Sequence, residues 1–403
     1  MTATVPVLTA ANGEAWEAAF VGRSGDAAVG AVVVARCLDV VDLLATAQTG
    51  RARVAVIAAS LRHLDREAIA RLHALGLAAV VVVDGPATAP RWRDLGADVV
   101  IDDRIEPEAL GQAVAQALSP APAAVDPAGG RLVTVWGPAG APGRSTVALA
   151  VADELAASGL RTVLIDADPY GGSLATQLGL LDEAPGLVAA VRAASSGALD
   201  VASVSACAAH VGDLAVLTGL ARADRWPELR ESAVAAVLEA ARRAAAIAVV
   251  DAGFCLEADE EISYDLPAPR RNGPTLTAIA AADVVVAVAA ADPLGLQRFL
   301  RALPEVRALL RPDAELRVVV NKARDSAIGG RDAHRQVGEA LLRHGGVTPA
   351  AVLPFDVDAC DRTLLGGRTL REAAPTSALR AALRAFAGEL AGVAPPARRR
   401  RAR

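Results

Sequence analysis

Short runs of Val, Ile and Ala, such as AVVVA, AAVVVVD and IAVVD, recur along the chain between longer stretches in which Ala and Leu are spaced by Arg, Glu and Asp. Charged or turn residues close off each run within about ten positions, well short of the ~20 apolar residues a membrane-spanning helix needs. This alternation is the rhythm of a parallel sheet covered by helices. Over residues 1–118 it predicts strands near 5–9, 31–35, 53–58, 79–83 and 98–101, with a last helix near 106–118. Five strands and five helices in that order make a flavodoxin-like α/β unit. Proline and glycine then concentrate in SPAPAAVDPAGG, residues 119–130, which reads as a linker to a second α/β domain over 131–392.

Composition narrows the class. A chain of 403 residues with 53% hydrophobic and 22% charged residues has material for two buried cores. The opening MTATVPVLTA lacks the features of an export signal, so a cytoplasmic location is expected. Cys37, Cys207, Cys255 and Cys360 lie far apart without a C-x-x-C pair and read as small buried hydrophobes, not as a zinc or disulfide framework. The five histidines show no metal spacing. A formal charge of −5 provides no global attraction to nucleic acid, and the exception is local: PPARRRRAR ends the chain with five arginines in six positions. Residues 393–403 are expected to form a solvated, disordered tail, with contact to anionic lipid or nucleic acid as the sharper alternative.

The first unit resembles a response-regulator receiver without its phosphate chemistry. Thr9 and Ala10 follow the first strand where an acidic pair belongs, Ala58, Ala59 and Ser60 end the third without an aspartate, and Asp102 and Asp103 follow the fifth in place of a lysine. The resemblance therefore implies a pseudo-receiver used for partner contact or self-association.

The strongest chemical signal is RLVTVWGPAGAPGRSTVALAVADEL: a β-branched strand, a Gly/Pro-rich turn and a long helix. Gly137, Gly140 and Gly143 let backbone N–H groups converge on an anion, and a helix opening near Arg144 directs its positive end the same way. Ser145 stands where a hydroxyl ligates Mg²⁺. Against G-x-x-x-x-G-K-[ST], Pro138 takes the first glycine position and Arg144 the lysine position, so a turn that binds nothing is the competing reading of the motif alone.

Later segments add weight in a fixed order. RTVLIDADPYGGSLATQLGL ends a strand in Asp166 and Asp168, AAAIAVVDAGF ends one in Asp251, and LRVVVNKAR and AAVLPFDVDACDRTLLGGRTLRE follow. The ordered set resembles the MinD/ParA family of deviant P-loop ATPases, and within it the CpaE-like proteins of Tad/Flp pilus systems and the actinobacterial septum-site-determining proteins. That resemblance implies a P-loop NTPase domain with a mostly parallel sheet, ATP and Mg²⁺ as cofactors, and a homodimer. It implies that Gly140, Ala141, Pro142, Gly143, Arg144, Ser145 and Thr146 wrap the phosphates. Ser145, Asp166 and Asp251 would serve the metal, with Asp251 as the Walker B carboxylate. Asp168 would orient the attacking water, Asn321 would read adenine, and Pro354 to Asp356 would close around the base.

The chain departs from the family in its cations. Arg144 replaces the lysine that reaches the β/γ-phosphates and Ala139 the lysine that crosses to the partner subunit. Arginine keeps the charge but not the compact ammonium, so the implied catalytic role of Arg144 comes with slow hydrolysis or none. Three functions stay open: an ATP-dependent positioning switch acting with division or pilus-assembly proteins, a nucleotide-independent scaffold, and a ParA-like DNA segregation factor. The last is disfavoured by the absence of a helix-turn-helix pattern. Residues 254–273 form a polar insertion, read as a surface connection or a partner loop. The face Leu379, Leu383, Phe386, Leu390 suits a docked terminal helix or a membrane-lying one. Trp136 reads as packing, with base stacking as its alternative.

Overall fold

The computed structural model describes residues 4–119, 129–180, 185–258, 269–328 and 332–392. Most of the expected linker, the arginine tail and the centre of the 254–273 insertion lie outside the described residues. The chain divides into two compact units, one built on its first 119 residues and the other on 129–392, with 192–199 grouped with the first.

In the first unit β1 (Val5–Ala10), β2 (Ala31–Cys37), β3 (Val54–Ala58), β4 (Ala78–Val83) and β5 (Val99–Asp102) form a parallel sheet in the order β2-β1-β3-β4-β5. This is the flavodoxin-like order expected from the sequence. Strand β3 is buried along its whole length, as a central strand covered on both faces must be. Asp39 and Asp65 start two of the covering helices by accepting the N–H groups of Asp42 and Ala68. At the carboxyl ends of the strands the Thr9 hydroxyl donates to Glu17 at 2.6 Å, and the Ser60 hydroxyl donates to Glu14. Arg36 holds the other Glu17 oxygen at 2.7 Å. The acids bonded to these hydroxyls come from the first helix and its cap, Asp102 and Asp103 stand at the end of β5, and β3 ends without a carboxylate.

The second unit contains β6 (Arg131–Trp136), β7 (Thr162–Ala167), β8 (Ala209–Val211), β9 (Leu214–Leu217), β10 (Ile247–Ala252), β11 (Val284–Ala290), β12 (Glu315–Ala323) and β13 (Pro349–Pro354). Their order is β13-β12-β11-β6-β10-β7-β9-β8, parallel except for the β8–β9 hairpin at one edge. The helix Arg144–Ala157 lies between this sheet and the last helix, Ala378–Leu390, and is buried almost all round. Its two acids are paired rather than exposed: Asp153 with Arg371 at 2.9 Å and Glu154 with Arg380 at 2.6 Å. Leu379, Leu383, Phe386 and Leu390 are all buried in the same core, so the last helix is docked through its apolar face.

One expectation needs correcting. Cys37 is buried, but Cys207, Cys255 and Cys360 are half-buried, because the last three stand at helix ends or loops and not inside strands. Among the described residues, no helix is long and apolar enough to cross a membrane.

Candidate functional site

Strand β6 ends in Trp136, whose indole is fully buried and donates to the Phe254 carbonyl at 3.2 Å, so this side chain is packing. The chain then turns through Gly140 (φ 107°), Ala141 (φ 51°) and Gly143 (φ 96°), all left-handed. A turn in which left-handed residues interrupt the chain can gather backbone N–H groups into one concavity. A Cβ on Gly143 would run into the Asn321 amide, and one on Gly140 into the Arg298 guanidinium. Gly143 caps the helix Arg144–Ala157, where no side chain accepts from the first turn and no acidic residue stands in it. The positive end of a fourteen-residue helix is thus left open, as an anion site requires.

The loop from Ala141 to Thr146 lines a cleft of about 510 Å³, a volume in the range of small-molecule sites. Asp168, Asn321, Pro354 and Asp356 line the same cleft, so the residues named from the sequence converge from four separate segments. Asp166 and Asp251 stand just behind it. They are register partners on β7 and β10, which places two carboxylates side by side, each only 1% exposed.

Asp166 is partly satisfied, accepting from Leu174 N at 3.0 Å and Asp168 N at 3.4 Å. Even so, burial first and the charge of Asp168 second lift its pKa to about 6. Neither Asp251 oxygen has a hydrogen-bond partner among the described residues. Burial, then the neighbouring Asp166, push its carboxyl well above the ordinary range, and the Ser145 hydroxyl and Arg144 only partly oppose them. Two adjoining buried carboxylates, one of them orphaned beside a hydroxyl, suit a hard divalent cation. Among the described residues no three His, Cys, Asp or Glu side chains form a complete metal cluster. A cation here would complete its shell with the Ser145 hydroxyl, water and phosphate oxygens, which is the usual habit of Mg²⁺.

Arg144 does not extend along the loop. One guanidinium nitrogen donates to the Gly137 carbonyl at 3.0 Å and another to Asp168 Oδ2 at 3.0 Å, with both partners' side chains largely buried. Its guanidinium also lies over the Phe254 ring at 5.8 Å, and that ring meets Tyr170 at 4.7 Å. Arg271 covers the Tyr170 ring at 4.0 Å, and the Tyr170 hydroxyl donates to Asn272 at 2.8 Å.

At the other end of the cleft the buried Asn321 donates its amide to the Pro142 carbonyl at 2.8 Å. Asp356 starts the helix Val357–Gly366 by accepting Ala359 N at 3.1 Å. Phe355, between Pro354 and Asp356, is 41% exposed with the Arg324 guanidinium 4.9 Å over its ring. Several residues at the site go unnamed by the sequence reading, among them Lys322, Arg298 and Phe254. Lys322 donates to the Ala141 carbonyl at 2.7 Å and lines the cleft, Arg298 covers Gly140, and Phe254 faces Arg144. The NK pair in LRVVVNKAR was the available signal for the first; nothing local in the sequence marks the other two.

No family model matches the chain, and no curated protein matches it by sequence. Solved structures do match it. The cell division ATPase MinD of Pyrococcus furiosus superposes with a TM-score of 0.51 at 16% identity, over 65% of this chain and 99% of that one. A ParA family ATPase from Chlorobium tepidum gives 0.55 at 18% identity, over 65% and 99%. The septum site-determining protein MinD of Pyrococcus horikoshii, solved with Mg-ADP, gives 0.50 at 14% identity, over 64% and 95%. At these identities the likeness is one of fold: the chain contains the α/β, mostly parallel architecture of the MinD and ParA P-loop ATPases.

Proposed function

We propose that the second unit binds Mg²⁺·ATP and works as a MinD/ParA-like nucleotide switch with slow or absent hydrolysis. The observation that carries this reading is the left-handed loop at an uncapped helix N-terminus, with the orphaned carboxylate of Asp251 beside Ser145. Residues 140–146 would hold the phosphates through backbone N–H groups, and Ser145 with Asp251 and Asp166 would hold Mg²⁺ directly or through water. The metal would supply charge neutralisation at the phosphates. Asp168 would position water, and Asn321 with Pro354 to Asp356 would form the base end. Slow turnover follows from Arg144, whose donors are committed to Gly137 and Asp168.

At the level of the cell, the reading extends to a homodimer that acts in spatial regulation, either septum-site determination or Tad-type pilus localisation, as in the CpaE-like branch. The first unit would be a pseudo-receiver for protein contact, since its strand ends offer neutral hydroxyls bonded to Glu14 and Glu17 and no acceptor aspartate on β3. The alternative of a nucleotide-free scaffold is favoured by one observation, the Arg144–Asp168 pair that occupies the loop's cation with a protein carboxylate. Calorimetric titration with Mg²⁺·ATP and Mg²⁺·ADP, with phosphate release followed in parallel and Asp251→Ala as control, separates the two. Micromolar binding with slow release supports the switch, whereas no heat at millimolar nucleotide leaves the scaffold.

A further inference from the structure

Of the 41 basic residues in this chain, 40 are arginine and one is lysine. That single lysine, Lys322, stands in the cleft, with its Nζ donating to the Ala141 carbonyl at 2.7 Å. Its backbone is left-handed, with φ 61°. For a residue with a Cβ this conformation is strained, so the surrounding structure must hold it there.

The strand shows how. The register between β12 and β13 shifts between Val320 and Ala323, a bulge that contains Asn321 and Lys322. In a regular strand two successive side chains point to opposite faces. The bulge and the left-handed turn cancel that alternation, and both side chains reach the same loop: Asn321 at the Pro142 carbonyl and Lys322 at the Ala141 carbonyl. The contacted loop residue is itself strained, since Ala141 adopts φ 51° without being glycine. The ammonium fixes the orientation of the Ala141 carbonyl, and with it the peptide that joins Ala141 to Pro142.

We propose that Lys322 is a positioning residue of the nucleotide site: it pins the strained Ala141 peptide and so preorganises the phosphate-binding loop, in place of conformational freedom that a glycine at 141 would provide. An arginine is poorly suited to the task, because its planar head is larger and its donors are fixed in a fork, whereas an ammonium can aim at one carbonyl. The inference rests on the nucleotide reading of the cleft and adds to it a residue that acts through the loop, not on the γ-phosphate.

The test is calorimetric titration of full-length wild type and Lys322→Met with Mg²⁺·ADP and Mg²⁺·ATP. Loss of one charge-assisted hydrogen bond that shapes the loop should weaken both nucleotides by about tenfold, and by the same factor. Adding Ala141→Gly to Lys322→Met should recover part of that loss. A second measurement uses the unmutated fold: reductive ¹³C-methylation keeps the charge and gives one lysine signal, which should move when either nucleotide is added. Absence of binding by wild type overturns the nucleotide reading together with this inference. Wild-type binding with unchanged affinity in Lys322→Met overturns this inference alone. A loss confined to ATP also overturns it, since it would put the ammonium on the terminal phosphate.

Discussion

Replacing Asp251 with Asn should make the metal-free protein more stable. Both Asp251 oxygens are buried without a hydrogen-bond partner, and the residue stands beside Asp166. The magnitude can be gauged from that neighbour, whose pKa is lifted from about 3.8 to about 6. At about 1.4 kcal/mol per pKa unit, keeping one such carboxylate ionised at neutral pH costs about 3 kcal/mol. Asp251 is pushed in the same direction, by burial first and then by the Asp166 charge, so removing its charge should stabilise the metal-free protein and raise its Tm. For a domain of this size a change on the Asp166 scale is about 5 °C or more in Tm. The sign with pH follows from linkage. A carboxyl with a raised folded-state pKa binds its proton more tightly when folded, so the contribution of Asp166 to stability is fully present below about pH 4 and is lost as pH rises through about 6. Thermal unfolding in chelator at pH 7.5 and at pH 5 should therefore show a gain for Asp251→Asn that shrinks at the lower pH. A variant less stable than wild type at pH 7.5, or a gain equal at both pH values, would refute the reasoning.

Gly143→Ala should weaken Mg²⁺·nucleotide binding by at least tenfold, because the new methyl meets the Asn321 amide at a left-handed backbone position; equilibrium titration of both nucleotides checks it. Arg371→Ala should destabilise the second unit by about 2 to 3 kcal/mol in urea unfolding, since it leaves Asp153 buried without its arginine, with the figure reduced for an arginine that is one-third exposed. Asp168→Asn should tighten Mg²⁺·ATP binding while removing any phosphate release, because it frees a guanidinium now held at 3.0 Å; weaker binding would count against a competing carboxylate.

The sequence carried the strands well because each is a compact run of β-branched residues between turn signals, and β1 to β5 fall within two residues of their expected positions. The β8–β9 hairpin escaped notice, since AHVGDLAVL is short and its only strong signal is the Gly212-Asp213 turn. In the site, Ser145, Asp166, Asp168 and Asp251 were legible because strand ends and helix starts fix where such side chains can be. Their mutual pairing was not. Whether Arg144 points along the loop or back to Asp168 depends on a buried carboxylate 24 residues away. The bulge that turns Lys322 onto the loop depends on how β12 registers with β13, which no local pattern of hydrophobic and polar residues encodes.

The loop lacks both lysines of the family it resembles, and the proposed phosphate site would draw its cations from other elements. The cations around it come from elsewhere in the fold: Lys322 from the end of β12, Arg298 from the helix Pro293–Leu309, and Arg144 folded back from the helix start. Among the described residues, Arg144 is the one of these paired with a carboxylate at the site, and that carboxylate belongs to the residue expected to manage water. An incoming phosphate would compete with Asp168 for the same guanidinium. Each exchange of one anion for another is nearly balanced in charge, so the free-energy difference between the two arrangements is small compared with either contact alone. A small difference between two well-defined arrangements is what a switch needs, and the same exchange would release the Phe254–Tyr170–Arg271 stack that leans on Arg144. On the proposed nucleotide reading, Arg144 would thus be the residue through which occupancy of the cleft is felt outside it.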